Sequence, residues 1–113
     1  MKKTINVYVQ DILDSLIKIE EYTTNKSITK SEFLKDVQNQ DSVLRRLEII
    51  GEAAKKIPQS FRHQHSHIPW KAIAGLRDVL IHDYNQVNIN RVWQVIIKDL
   101  PKLKKDLLGI QEK

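Results

Sequence analysis

An arginine, a histidine and a tyrosine stand at R-x4-H-x-Y spacing in the stretch Arg77-Asp78-Val79-Leu80-Ile81-His82-Asp83-Tyr84. Arginine is a permanent cation whose planar fork holds a phosphate by two parallel hydrogen bonds. Histidine moves a proton near neutral pH. A phosphate clamp beside a proton carrier is what a phosphodiester-cleaving site needs. The chain around it is basic, with a formal charge of +5 and a pI near 9.5. That balance favours an acidic partner, nucleic acid first and an acidic protein second. A basic surface kept for solubility accounts for the charge equally well.

On a helix, at about 100° per residue, Arg77 and Tyr84 project within about 20° of each other, two turns apart. Asp78 and His82 form an i, i+4 pair, so the carboxylate can hold the imidazole in one tautomer. His82 lies about 140° around the axis from Arg77, and one copy of the helix does not aim both at one phosphate. Two copies across a two-fold axis bring two arginines and two histidines to a shared groove. There Arg77 would bind the scissile phosphate and stabilise its developing charge. His82 would act as general base or acid toward a ribose 2′-hydroxyl and the leaving oxygen, which restricts the substrate to RNA. No metal or other cofactor is required. The competing assignment makes Arg77 a carboxylate partner, His82 a half-buried core residue and Tyr84 a packing knob.

The elements that must position these residues read as helices. From about Ile5 to Tyr22, Val9, Ile12, Leu13, Leu16, Ile17, Ile19 and Glu20 follow a helical rhythm, and the polar run Thr23-Thr24-Asn25-Lys26-Ser27 ends it. Thr29 and Glu32 have capping-box spacing and start a helix expected to carry Phe33, Leu34 and Val37. A longer helix is expected from about Asp41 to Ile57, with Val43, Leu44, Leu47, Ile50, Ala54 and Ile57 on one stripe and Gly51 allowing close packing. Pro58 ends it, and the histidine-rich stretch 58–68 reads as a loop. Pro69 suits the first turn of a new helix, in which Ile73, Leu76, Val79 and Leu80 run into the motif. The stretch Asn85-Gln86-Val87-Asn88 breaks it. Asn88 caps the last helix, whose core face is Val92, Val95, Ile96, Leu103 and Leu107, and Pro101 marks a kink or a join between two helices. The sum is an all-α, antiparallel bundle of four to five helices.

At 113 residues the chain is one domain with a modest core, 1–113, and a deep cleft of its own is not expected. Hydrophobic residues make up 41% and charged residues 29%, which excludes a disordered composition. There is no cysteine, so disulfide and thiolate chemistry are excluded, in keeping with a reducing cytoplasm. No membrane-spanning run or signal peptide is read, and cytoplasmic localisation is the expectation.

The linked blocks are more specific than the motif. Ile49-Ile50-Gly51-Glu52-Ala53-Ala54-Lys55, then Ile68-Pro69-Trp70-Lys71-Ala72-Ile73-Ala74-Gly75-Leu76 running into Arg77 to Tyr84, resemble the HepT-like branch of the HEPN superfamily. Val92-Trp93 and Asp99-Leu100-Pro101 fit the same pattern, and the resemblance extends from about Asp11 to Leu107. It implies an all-α bundle that forms a homodimer, and a metal-independent endoribonuclease acting as the toxin of a type VII-like toxin–antitoxin pair. The implied partner is a minimal nucleotidyltransferase antitoxin, in a complex with the dimer or in a larger assembly. Carried over, Arg77 and His82 are the catalytic pair. Asp78 is a supporting residue at a position where asparagine is frequent, and Tyr84 is the tyrosine that the partner adenylylates. A nucleotide on Tyr84 would obstruct the RNA groove by bulk and like charge. The alternative of another class is a non-catalytic helical module that partners, or presents substrate to, a nucleotidyltransferase.

Other features carry less. His63, His65 and His67 alternate as metal ligands on an extended strand do, without a carboxylate or cysteine to complete a set. Glu52 reads as the salt-bridge partner of Arg45, Lys55 or Lys56 rather than a groove carboxylate. Lys98, Lys102, Lys104, Lys105 and Lys113 form either an extension of an RNA-binding face or a solvated helix surface. Trp70 and Trp93 read as core or interface anchors rather than base-stacking platforms. No glycine-rich phosphate loop and no magnesium-holding acidic pair is present, so the chain is not expected to be the transferase itself.

Overall fold

The structure, a computed structural model, describes residues 2–82 and 88–111, with side chains described over 5–76 and 88–110. The described residues form helices α1 (Lys2–Tyr22), α2 (Lys30–Lys35), α3 (Val37–Lys56), α4 (Gln59–Gln64), α5 (Trp70–His82), α6 (Ile89–Gln94) and α7 (Leu100–Gln111). No strand occurs among them. The expected all-α bundle is what forms. Its long rods are α1, α3, α5 and the α6–α7 pair, and α2 and α4 are short helices of six residues each.

Helix α1 buries Val9, Ile12, Leu13, Leu16 and Ile19, while Ile17 stays 40% exposed because it falls off the narrower stripe. The polar run after it is tied back: the Thr23 hydroxyl is fully buried and donates to the Ile19 carbonyl at 2.6 Å. That bond satisfies both the hydroxyl and an orphan carbonyl of the last turn. The expected capping box is present. Thr29 Oγ1 accepts from the Glu32 N–H at 3.1 Å, and Glu32 Oε1 accepts from the Thr29 N–H at 2.8 Å.

Helix α2 carries Phe33 inward but stops at Lys35, so Leu34 and Val37 are exposed rather than core. The reason is a second cap. Asp36 Oδ1 accepts from the Asn39 N–H at 3.0 Å and starts α3 four residues earlier than apolar spacing suggests. Within α3, Val43, Leu47, Ile50, Gly51, Ala53 and Ala54 are buried.

The pairing of α1 and α3 is antiparallel. Lys56, at the end of α3, sits 5.8 Å over the ring of Tyr8, near the start of α1. At the opposite end, the Asn39 amide donates to the Tyr22 carbonyl at 2.9 Å.

The stretch expected as a loop contains α4, which the apolar pattern does not announce. Six residues cannot sustain a helix alone. Arg62 holds it by donating to the carbonyls of Ala54, in the last turn of α3, and of Ile57, its C-cap. Asn88 caps α6 as expected, accepting from the Arg91 N–H at 3.1 Å. Between α6 and α7 the chain makes a π-helical turn, Val95–Asp99, directly before Pro101. Proline has no N–H to give, and its ring collides with the carbonyl four residues back; the wider turn moves that carbonyl aside. Pro101 therefore marks a join. Val92, Val95, Ile96, Leu100, Leu103 and Leu107 remain buried through it.

Candidate active site

Helix α5 is the element that carries the motif, and its start is locked. Trp70 is buried, its indole N–H donates to the His65 carbonyl at 3.0 Å, and the Phe61 ring stands 6.2 Å away. Its backbone N–H donates to the Ile68 carbonyl at 2.8 Å, and the Pro69 carbonyl accepts from Ile73. Because α4 hangs from the end of α3 and Trp70 hangs from α4, α5 begins beside the C-terminal end of α3. It then runs back along α3, burying Ile73 and Ala74.

The helix is α-helical through His82, so positions 77, 78 and 82 lie on one continuous rod. Register then separates them. Position 77 extends the stripe of Trp70, Ile73 and Ala74, the buried side of α5. Position 82 extends the stripe of Lys71 and Gly75, about 140° away. Lys71 is exposed, and a Cβ added at Gly75 would meet nothing within 4 Å among the described residues. The structure thus places Arg77, Asp78 and His82 on the same helix and keeps the positions of the supposed pair on different faces. Tyr84 lies outside the described residues, as do residues 85–87 of the expected break.

A second side of α5 borders an apolar groove formed with Val95, Leu100 and Leu103, to which α5 contributes Ala72, Ile73 and Leu76, and Pro69 just before it adds a wall. Lys98 and Lys102 stand at its rim with Asp99 and Asp106. Two of the C-terminal lysines are already paired. Lys104 meets Glu20 at 2.7 Å, tying α7 to α1, and Lys102 meets Asp106 at 3.1 Å. Lys98 and Lys105 are exposed.

The histidine run is part of the fold. His63 lies in α4, the His65 ring packs 4.6 Å from Phe61, and His67 lies 6.3 Å from His65. Among the described residues no three histidine, cysteine, aspartate or glutamate side chains gather as metal ligands do. Arg45 pairs with Glu48 at 3.5 Å, one turn from the expected Glu52. Trp70 and Trp93 serve packing as expected, Trp93 standing 5.3 Å from the buried Phe33.

One group went unrecognised in the sequence. Tyr22, Arg45 and Arg46 border one shallow groove where α1 ends and α3 begins. The Arg45-Arg46 doublet was the available signal, but doublets are common on helix surfaces, and only the meeting of α1 and α3 makes this one concave.

The described helices define a small all-α domain. The model of the family described as "Ribonuclease HepT-like" matches residues 12–109. The chain belongs to that family, and ribonuclease is the class of activity that membership brings. It is 42% identical over 104 residues to "Probable ribonuclease HepT" of Thermococcus cleftensis, covering 92% of this chain and 93% of that one. It is 42% identical over 111 residues to a "Putative RNase" of Caldanaerobacter subterraneus, covering 98% and 97%. A Methanocaldococcus jannaschii protein named "Gamma-glutamylcyclotransferase and putative RNase" is 46% identical over 112 residues. The chain spans 50% of that protein's length. No solved structure matches. No helix among the described residues is long and apolar enough to cross a membrane.

Proposed function

We propose that this domain is a metal-independent endoribonuclease that works as a homodimer, with Arg77 and His82 as its catalytic pair. The observation that supports the reading is the unbroken helix α5, which sets positions 77 and 82 on different faces, as a site shared between two chains would require. Gly75 supports it. Glycine inside a helix costs about 1 kcal/mol relative to alanine, and within the described residues no neighbour demands the missing side chain. Close approach of a second α5 at that bare stretch supplies the reason.

In the shared groove, Arg77 of one chain binds the scissile phosphate. His82 takes the proton from the ribose 2′-hydroxyl, whose oxygen attacks the adjacent phosphorus. The bond to the 5′-oxygen breaks, and that oxygen leaves with the proton that the His82 imidazolium returns. The products are a 2′,3′-cyclic phosphate and a 5′-hydroxyl end. Asp78, one turn before His82, orients the imidazole.

We further propose the toxin role, in the cytoplasm, with a minimal nucleotidyltransferase as antitoxin, in a complex with the dimer or in a larger assembly. Transfer of a nucleotide to Tyr84, in which the phenol oxygen attacks the α-phosphorus and pyrophosphate leaves, would place bulk and negative charge by the groove. Support comes from the family blocks around the motif.

The test is direct. Purified protein cleaves RNA in the presence of a chelator and leaves cyclic phosphate ends, while Arg77→Ala and His82→Ala each lose at least about a hundredfold in rate and stay folded. Full cleavage by both variants overturns the assignment. A chain that binds a nucleotidyltransferase but never cleaves RNA would instead be the non-catalytic module.

A further inference from the structure

The groove at the junction of α1 and α3 is bordered by Tyr22, Val37, Asp41, Ser42, Arg45 and Arg46. Two guanidinium groups on successive residues border it, against the single carboxylate of Asp41 in the same lining. Arg45 meets Glu48 at 3.5 Å, but the arginine side chain is 63% exposed, and such a pair yields readily to a phosphate. Arg46 has no hydrogen bond or ion pair among the described residues. Tyr22 is half-buried, packed against the core on one side and bordering the groove on the other, and its backbone carbonyl accepts from Asn39. The Ser42 hydroxyl donates to the Gln38 carbonyl at 3.0 Å, which leaves its oxygen open to accept a hydroxyl proton. Val37 adds a flat apolar wall, 65% exposed.

Two cations share this groove with an aromatic residue, an apolar wall and a hydroxyl acceptor. A single RNA strand carries the complementary phosphates, bases and 2′-hydroxyls. A run of carboxylates on an acidic protein would use the arginines but leave Tyr22 and Val37 without a role. The groove also has a relevant place in the fold. Because α3 runs antiparallel to both α1 and α5, the start of α3 lies at the end of the bundle toward which positions 77 and 82 run.

We propose that this groove is a second RNA-binding site, outside the cleavage site, that grips the substrate strand through Arg45 and Arg46 and takes a base against Tyr22. The proposal rests on the ribonuclease reading above and extends it to how the strand is held.

Binding of a fluorescent single-stranded RNA of mixed sequence is measured on the full chain carrying His82→Ala, which removes cleavage. Adding R45E/R46E raises Kd by roughly tenfold or more and makes the slope of log K against log salt shallower by about 1.4, for two phosphate contacts at about 0.7 each. R45K/R46K, which keeps both charges, retains most of that slope. In the chain with His82 intact, R45E/R46E raises KM with kcat preserved. Unchanged affinity and slope in a folded R45E/R46E, while its parent binds RNA, overturns the second site and leaves the cleavage site standing. Unchanged RNA binding with lost binding of the nucleotidyltransferase would assign the groove to a protein and overturns it equally. A parent that binds no RNA sinks the ribonuclease reading and this site with it.

Discussion

Two inactive variants should restore activity when mixed if the catalytic pair is assembled from two chains as proposed. Helix α5 is regular from Trp70 to His82, so five residues at about 100° and about 1.5 Å each turn position 82 by about 140° and shift it about 7.5 Å from position 77. Reacting atoms must come within about 3–3.5 Å of their catalytic groups, and a single α5 sets positions 77 and 82 on different faces. In a two-fold dimer, Arg77 of each chain serves a site with His82 of its partner. Mixing Arg77→Ala with His82→Ala, unfolding and refolding them together, makes about half of the dimers mixed. Each mixed dimer has one site with both mutations and one with neither. Recovered activity is then about a quarter of wild type, measured as initial rate of RNA cleavage in chelator. Each variant alone stays near background. The mixture is resolved by native mass spectrometry, since the two chains differ in mass. Mixed dimers present in the expected proportion, with activity still at the level of either variant alone, would refute a site shared across two chains.

The scaffold makes two more predictions. Trp70→Phe removes the indole hydrogen bond to the His65 carbonyl and part of a buried ring, and should cost about 1–3 kcal/mol in urea unfolding; a change below about 0.5 kcal/mol would mean that α4 does not anchor α5. Thr29→Ala breaks the capping box of α2 and should cost about 1 kcal/mol, read as a lower unfolding midpoint with RNA cleavage by the folded protein unchanged.

What the sequence determined about this protein is whatever depends on intervals of three to five residues. The α-helix imposes those intervals wherever it forms. The rhythm of Val9 to Ile19, the Thr29–Glu32 box, the Asn88 cap and the join at Pro101 were therefore legible and are present. The same reasoning made the divergence of Arg77 and His82 computable from five residues of spacing. The Asp36 cap was missed because Val37 looked like a core residue of the preceding helix, yet it begins the next one and stays exposed. Tertiary structure decided the rest, because contacts between distant residues follow from how the rods pack. Helix α4 exists through Arg62 reaching the carbonyls at the end of α3, a bond no local pattern encodes. Lys104 meets Glu20 across 84 positions of chain, and so reads as a cation in sequence but as half of an ion pair in the fold. Arg45 and Arg46 look like an ordinary solvated helix face until the end of α1 brings Tyr22 beside them. Helical periodicity is a property of the backbone and is written in order along the chain. A concave surface belongs to two helices at once, and only their packing makes it.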